Sequence, residues 1–264
     1  MKNLIILFMA FVWSLNVFAD RRIHIDYGGD PLTEKERLQI ERILDYQVDF
    51  YSLFGLEDSL RVKLTVFNER SEAMFYLDSL GVTKIIPLST ANGLYNSKEK
   101  EAVILEMGKD RKKGLSVIYH ELSHFFTREI TCTNPPMWLM EGFSEYFEHC
   151  EVRKKGIRHS MSSYEIGRIR TMYMLGEINL KKFVDSDRTL FMKKQRTDEQ
   201  YSYILAHALV AFMVENVSHQ ILVNLISLLQ DHADKSAMSE KIARIYPGGF
   251  DAFENDFAKL YNKP

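Results

Sequence analysis

Cysteine is scarce in this sequence: two in 264 residues, too few for a fold held by a disulfide framework. An excess of one charge is also missing. Thirty-four Lys and Arg face 36 Asp and Glu, a net charge of −2, so nothing draws the chain to nucleic acid or to an anionic lipid surface. There is no internal repeat, no low-complexity tract, no glycine-rich phosphate loop and no G-x-S-x-G elbow. Long apolar runs are absent beyond the first residues. The chain is 46% apolar and 27% charged, the balance of a globular protein, and long enough for one large domain or two small packed ones.

The one long apolar run lies in Met1–Ala19. Lys2 precedes unbroken apolar sequence from Leu4 to Trp13, and Val17-Phe18-Ala19 carries small residues three and one places before a cut. Those are the three regions of a secretory signal peptide. A membrane anchor needs roughly 20 apolar residues, more than this run holds. The expected mature chain therefore starts at Asp20 and is periplasmic or secreted, with no membrane span after cleavage. An oxidising compartment allows Cys132 and Cys150 to join, closing a loop with 17 residues between them. In the chain-entropy account such a closure contributes about 3 kcal/mol.

The hydropathy pattern is mixed first and helical afterwards. Arg22–Tyr27 alternates as a strand and stops at Gly28-Gly29. Thr33 and Glu36 have capping-box spacing before a helical stripe of Leu38, Ile40, Ile43, Leu44, Val48, Tyr51 and Leu53. Arg61–Phe67 and Glu101–Glu106 read as strands, Ser71–Leu80 as a short helix, and Gly114 to about Ile130 as a longer one. Pro135-Pro136 forbids helix, so the next begins near Met137 and runs to about Cys150. Arg153–Gly156 reads as a solvated turn. Ser163–Leu175, Asp198–Asn216, His219–Leu229, Ala237–Ile245 and Phe250–Tyr261 read as helices. The expectation is an α+β lobe over residues 20–130 and a helical lobe over 131–264, divided near residue 130.

Chemistry concentrates at His120-Glu121-Leu122-Ser123-His124. Residues four apart share a helix face, so His120 and His124 can direct two ring nitrogens at one point, as Zn–N bonds near 2.0–2.1 Å require. Glu121 then flanks the open side of the metal and can take a proton from water. Leu115, Val117, Ile118, Leu122, Phe125 and Phe126 surround these residues, so two polar rings on a buried helix need partners. A third ligand is expected from Pro136-Met-Trp138-Leu139-Met140-Glu141-Gly142-Phe143-Ser144-Glu145-Tyr146. Glu141 follows His124 by 17 positions, beyond a loop in which the chain reverses. Glu145, one turn on, is the candidate acceptor for the second N–H of a ligating histidine.

HELSH followed by PPMWLMEGFSEY resembles the gluzincin zinc metallopeptidases, in particular the peptidase-MA-like proteins, and is similar to the WLxEGxA segment of aminopeptidase-N-like enzymes. The resemblance is sharp over residues 93–147 and looser to about Tyr261. It implies a small mixed-sheet lobe followed by a helical lobe, with a cleft between them. It makes His120, His124 and Glu141 ligands of Zn2+ and Glu121 the general base for hydrolysis of a peptide or protein substrate. It also implies a tyrosine that hydrogen-bonds the oxyanion, for which Tyr203 fits the family spacing and Tyr201 is the reserve. His207, one turn beyond Tyr203, would orient it or be structural. Gly93-Leu94-Tyr95-Asn96 stands where aminopeptidases carry a segment with an amine-capturing Glu. That Glu is absent, so endopeptidase activity is expected over aminopeptidase. The alternative is a non-catalytic module that keeps the fold and uses the cleft to bind a protein or glycan. His149 beside Cys150 is a poor nucleophile pair.

Overall fold

The computed structural model describes residues 23–57, 59–82, 91–108, 110–131, 134–197 (backbone only at 194–197) and 201–261. The expected leader Met1–Ala19 and Cys132 lie outside the described residues. Strand β1 (Ile23–Gly29) leads to helix α1 (Glu34–Ser52), β2 (Leu60–Val66), α2 (Arg70–Ser79), β3 (Gly93–Asn96), β4 (Glu101–Ile104) and α3 (Arg111–Thr131). β1, β2 and β4 run parallel, and β3 pairs antiparallel with β4, giving a mixed sheet of order β1-β2-β4-β3. Buried Val62, Leu64, Ala102 and Ile104 turn this sheet toward the helices.

The capping box at the start of α1 forms as the spacing predicts. Glu36 N donates to Thr33 Oγ1 at 3.3 Å, and Thr33 N donates to the Glu36 carboxylate at 2.8 Å. The same carboxylate takes two hydrogen bonds from Arg111, the first residue of α3, at 2.6 and 2.9 Å. Further along, Tyr51 sets its hydroxyl 2.7 Å from Ser123 Oγ and 2.9 Å from Thr127 Oγ1, with its ring stacked on Phe126. Gln47 Nε2 donates to Tyr119 O at 2.8 Å. α1 therefore grips one side of α3 along its length. In the expected stripe of α1, Leu38 is 57% exposed and takes no part, while Gln47 is fully buried.

After Pro136 the chain reverses into α4 (Met137–Glu148), anchored where Trp138 Nε1 donates to Val184 O at 3.0 Å. The second half is not helical throughout. Cys150–Arg153 (β5) and Gly156–His159 (β6) form a hairpin, and the expected solvated turn at Arg153–Gly156 is its tip. Strands of four residues with one apolar side chain between turns are too short to declare a period. Helices α5 (Ser163–Met174), α6 (Leu180–Val184), α7 (Arg188–Thr197), α8 (Tyr201–Glu215), α9 (His219–Gln230), α10 (Met238–Ile245) and α11 (Gly249–Tyr261) follow, of which α6 and α7 were not anticipated.

The class is α+β. One apolar core runs from Ile23 to Tyr261 through both halves, so the two share their interior. α8 crosses α4 at Gly142, where a Cβ would stand 2.6 Å from Ala206 O and from Val210 Cγ2. No described helix is long and apolar enough to cross a membrane.

Candidate metal centre

The face of α3 next to the one that α1 grips carries His120 and His124, and α4 lies against it. Their rings sit 4.8 Å apart, centre to centre. Glu141, buried on α4, brings one carboxylate oxygen 3.6 Å from His120 Nε2 and 3.7 Å from His124 Nε2. Tetrahedral Zn2+ with bonds near 2.0–2.2 Å spaces its ligand atoms about 3.3–3.5 Å apart, so this donor set fits zinc. The three expected ligands thus come together.

Each ring is fixed from behind. His120 Nδ1 lies 2.8 Å from Glu148 Oε2, and His124 Nδ1 lies 3.1 Å from Ser144 Oγ. A ring whose Nδ1 donates to an acceptor keeps Nε2 as a free lone pair, the form that binds metal. Sequence reasoning named Glu145 for this role, and the structure gives it to Glu148. At about 100° per residue, position +7 from Glu141 returns within roughly 20° of its direction, whereas +4 is displaced by about 40°. Projecting the Glu141 face one turn further would have found Glu148. Ser144 carries no comparable signal, being one of many small residues on packed helices.

The electrostatics point to a cation. Burial pushes His124 down to about 4, only partly opposed by Glu141, so its ring is neutral. Burial also depresses His120, but the Glu141 carboxylate beside Nε2 and the hydrogen bond that Nδ1 donates to Glu148 outweigh it and hold the ring well above the usual imidazole value. Glu141 is raised by burial and lowered further by His124 and His120, ending below the usual carboxylate range. A proton on His120 and a divalent ion answer the same demand.

Glu121 points away from the ligand triad's supports and toward β3. Burial, reinforced by Glu141 and Glu148, raises it to about 8 against the pull of His120. Tyr203, on the first turn of α8, feels the carboxylates of Glu141, Glu145 and Glu121, which together with burial raise its phenol well above the ordinary value. It packs edge-on against Phe191. Tyr201 turns elsewhere: its hydroxyl donates to Glu177 O at 3.2 Å, and it lines a separate hollow with Phe183, Leu190 and Phe191. His207 does not meet Tyr203. It bonds Glu165 and His159. Cys150 is a buried free thiol 3.4 Å from Tyr146 O, raised to about 12 by burial and by Glu215, so it offers no thiolate. Its expected partner, Cys132, is outside the described residues.

The chain matches no protein-family model, no curated protein and no solved structure.

Proposed function

We propose that this protein is an exported zinc metallopeptidase of gluzincin type that hydrolyses peptide bonds within a chain. The observation that carries the proposal is the meeting of His120 Nε2 and His124 Nε2 with one Glu141 oxygen, at 3.6 and 3.7 Å. It is supported by the buried carboxylate beside them at Glu121, for which a pure binding module has no use.

When bound, a zinc ion supplies Lewis-acid polarisation of the scissile carbonyl and acidifies water. His120, His124 and Glu141 would hold it. Glu121 takes the proton of the attacking water and gives it to the departing amine nitrogen. A carboxyl whose pKa is raised toward working pH both accepts and releases readily, and burial raises that of Glu121. Tyr203 stays protonated beside three carboxylates, so it is a donor for the oxyanion at any pH of interest. β3 stands at the edge of the sheet among the described residues, and its backbone can pair with an extended substrate. Without an amine-binding Glu on that strand, a free N-terminus is not selected.

The test is metal analysis with a peptide-library digest for wild type and Glu121→Gln. One catalytic zinc with cleavage abolished in the variant supports the proposal. Equal cleavage by both removes Glu121 from the mechanism, and zinc without cleavage of any unfolded protein assigns the cleft to binding. Edman sequencing of the exported product reads Asp20 first if the leader is cut where expected.

A further inference from the structure

Helix α4 ends in a second gathering of rings and carboxylates that peptide hydrolysis does not use. Glu145 and His149 on its last turn meet His207 of α8, with one ligand atom from each within 4.8 Å of the others. His207 Nδ1 is 2.6 Å from the Glu165 carboxylate, and His149 Nδ1 is 2.9 Å from Glu145 O. Both acceptors demand a hydrogen on Nδ1, which leaves each Nε2 as the lone pair, that of His149 lying 3.6 Å from Glu165 Oε2. His159 of β6 repeats the pattern: its Nδ1 is 2.6 Å from Glu215, and its Nε2 faces His207 Nε2 at 2.8 Å. Tyr146 stacks over the His159 ring at 4.0 Å and seals it.

The hydrogens available limit what the two rings can share. The chain Glu165–His207–His159–Glu215 contains three short contacts, and each needs one hydrogen. Two neutral imidazoles carry only two, both claimed at Nδ1 by the carboxylates. The Nε2–Nε2 contact therefore requires an added cation, either a third proton or a metal ion bound by both rings. The His207 side chain is fully buried and that of His159 is 3% exposed, so whichever cation joins them is enclosed by protein. A metal leaves both rings neutral with their Nδ1 hydrogens in place.

We propose that Glu145, His149 and His207, joined by His159 through its contact with His207, form a second transition-metal site, of zinc class and structural in kind. Three nitrogens and one carboxylate oxygen suit Zn2+, and four protein ligands close the coordination sphere, unlike the centre at His120, which keeps one position open. The ion would tie the end of α4 to the β5–β6 hairpin and to α8. His149 and Glu145, with 30% and 17% of their side chains exposed, form the way in. This proposal does not rest on peptidase activity.

Zinc per chain, measured on the full-length protein after gel filtration, separates the outcomes. Two equivalents are expected for wild type, one for His149→Ala and one for His124→Ala, with circular dichroism checking the fold. Glu145→Gln, nearly identical in shape, is expected to weaken the second equivalent by about 10-fold or more. A single wild-type equivalent that His124→Ala abolishes and His149→Ala leaves untouched overturns the proposal and makes the bridge a shared proton. A single equivalent lost in His149→Ala and kept in His124→Ala upholds it while sinking the peptidase site.

Discussion

The Glu121 carboxylate rests against the bare α-carbon of Gly93. A Cβ built on Gly93 would stand 2.6 Å from Glu121 Oε1 and 2.8 Å from Val117 Cγ1, closer than atoms approach. The edge strand β3 can lie over α3 only because residue 93 has no side chain, and that proximity fixes where the base points.

Gly93→Ala is thus expected to shift Glu121 while leaving His120, His124 and Glu141 intact. Misplacing a reacting group by about 1 Å costs around 10²-fold. Turnover should fall by roughly that factor with zinc content unchanged. Steady-state kinetics with metal analysis checks this, and zinc lost together with activity would show that the strand supports the ligands instead.

Glu148 holds His120 at 2.8 Å and so carries the support that had been assigned to Glu145. Glu148→Gln keeps a hydrogen bond but removes the charge that makes the ring basic. Loss of such a partner weakens metal binding about 10- to 100-fold. Zinc titration against a competing chelator measures it. Ser144→Ala, behind His124, should do less, because a hydroxyl is the weaker partner.

Much of the site was legible because its parts are local. His120, Glu121 and His124 sit within a helical turn or so, and the Pro135-Pro136 break announces that a second helix begins. The Thr33–Glu36 box is likewise a four-residue signal. What escaped depends on contacts between distant elements. The hairpin at 150–159 has strands too short to show alternation. Gln47 is buried because it reaches Tyr119 O, and a polar letter in an apolar stripe gives no hint of that. The convergence of His149, His159 and His207 from a helix end, a strand and another helix is invisible in spacing, since 10 and 48 positions separate them.

Tyr203 and Tyr201 differ by two positions but face opposite tasks. Tyr203 lies in the field of Glu141, Glu145 and Glu121, while Tyr201 is engaged by Glu177 O. If Tyr203 donates to the oxyanion, Tyr203→Phe should lower kcat about 10²- to 10³-fold with little change in KM. Tyr201→Phe should instead lower thermal stability by about 1 kcal/mol, the worth of one buried hydrogen bond. The reverse pattern would exchange their roles.

Cys150 provides a check on the expected bridge. Its thiol is buried and raised to about 12, so it should resist alkylation in the native protein at pH 8. In denaturant without reductant it should react at once. Mass spectrometry of iodoacetamide-treated protein reads both. No alkylation in denaturant until reductant is added would mean that Cys150 is bridged after all.

The ion pair between Glu36 and Arg111 couples the capping box of α1 to the first residue of the metal-bearing α3. The Arg111 hydrogen bonds outweigh burial and lower Glu36 to about 2 from an ordinary value of 4.5. A carboxylate whose folded pKa is depressed adds stability at every pH above its unfolded value. That contribution fades as the pH falls from about 4.5 toward 2. With Glu36 nearly buried and Arg111 a third exposed, solvent screening reduces the pair to about 2 kcal/mol. Glu36→Gln should therefore cost about that much at pH 7, measured by urea unfolding, and progressively less toward pH 2. A difference constant with pH would show that the capping geometry, and not the charge, holds α1 to α3.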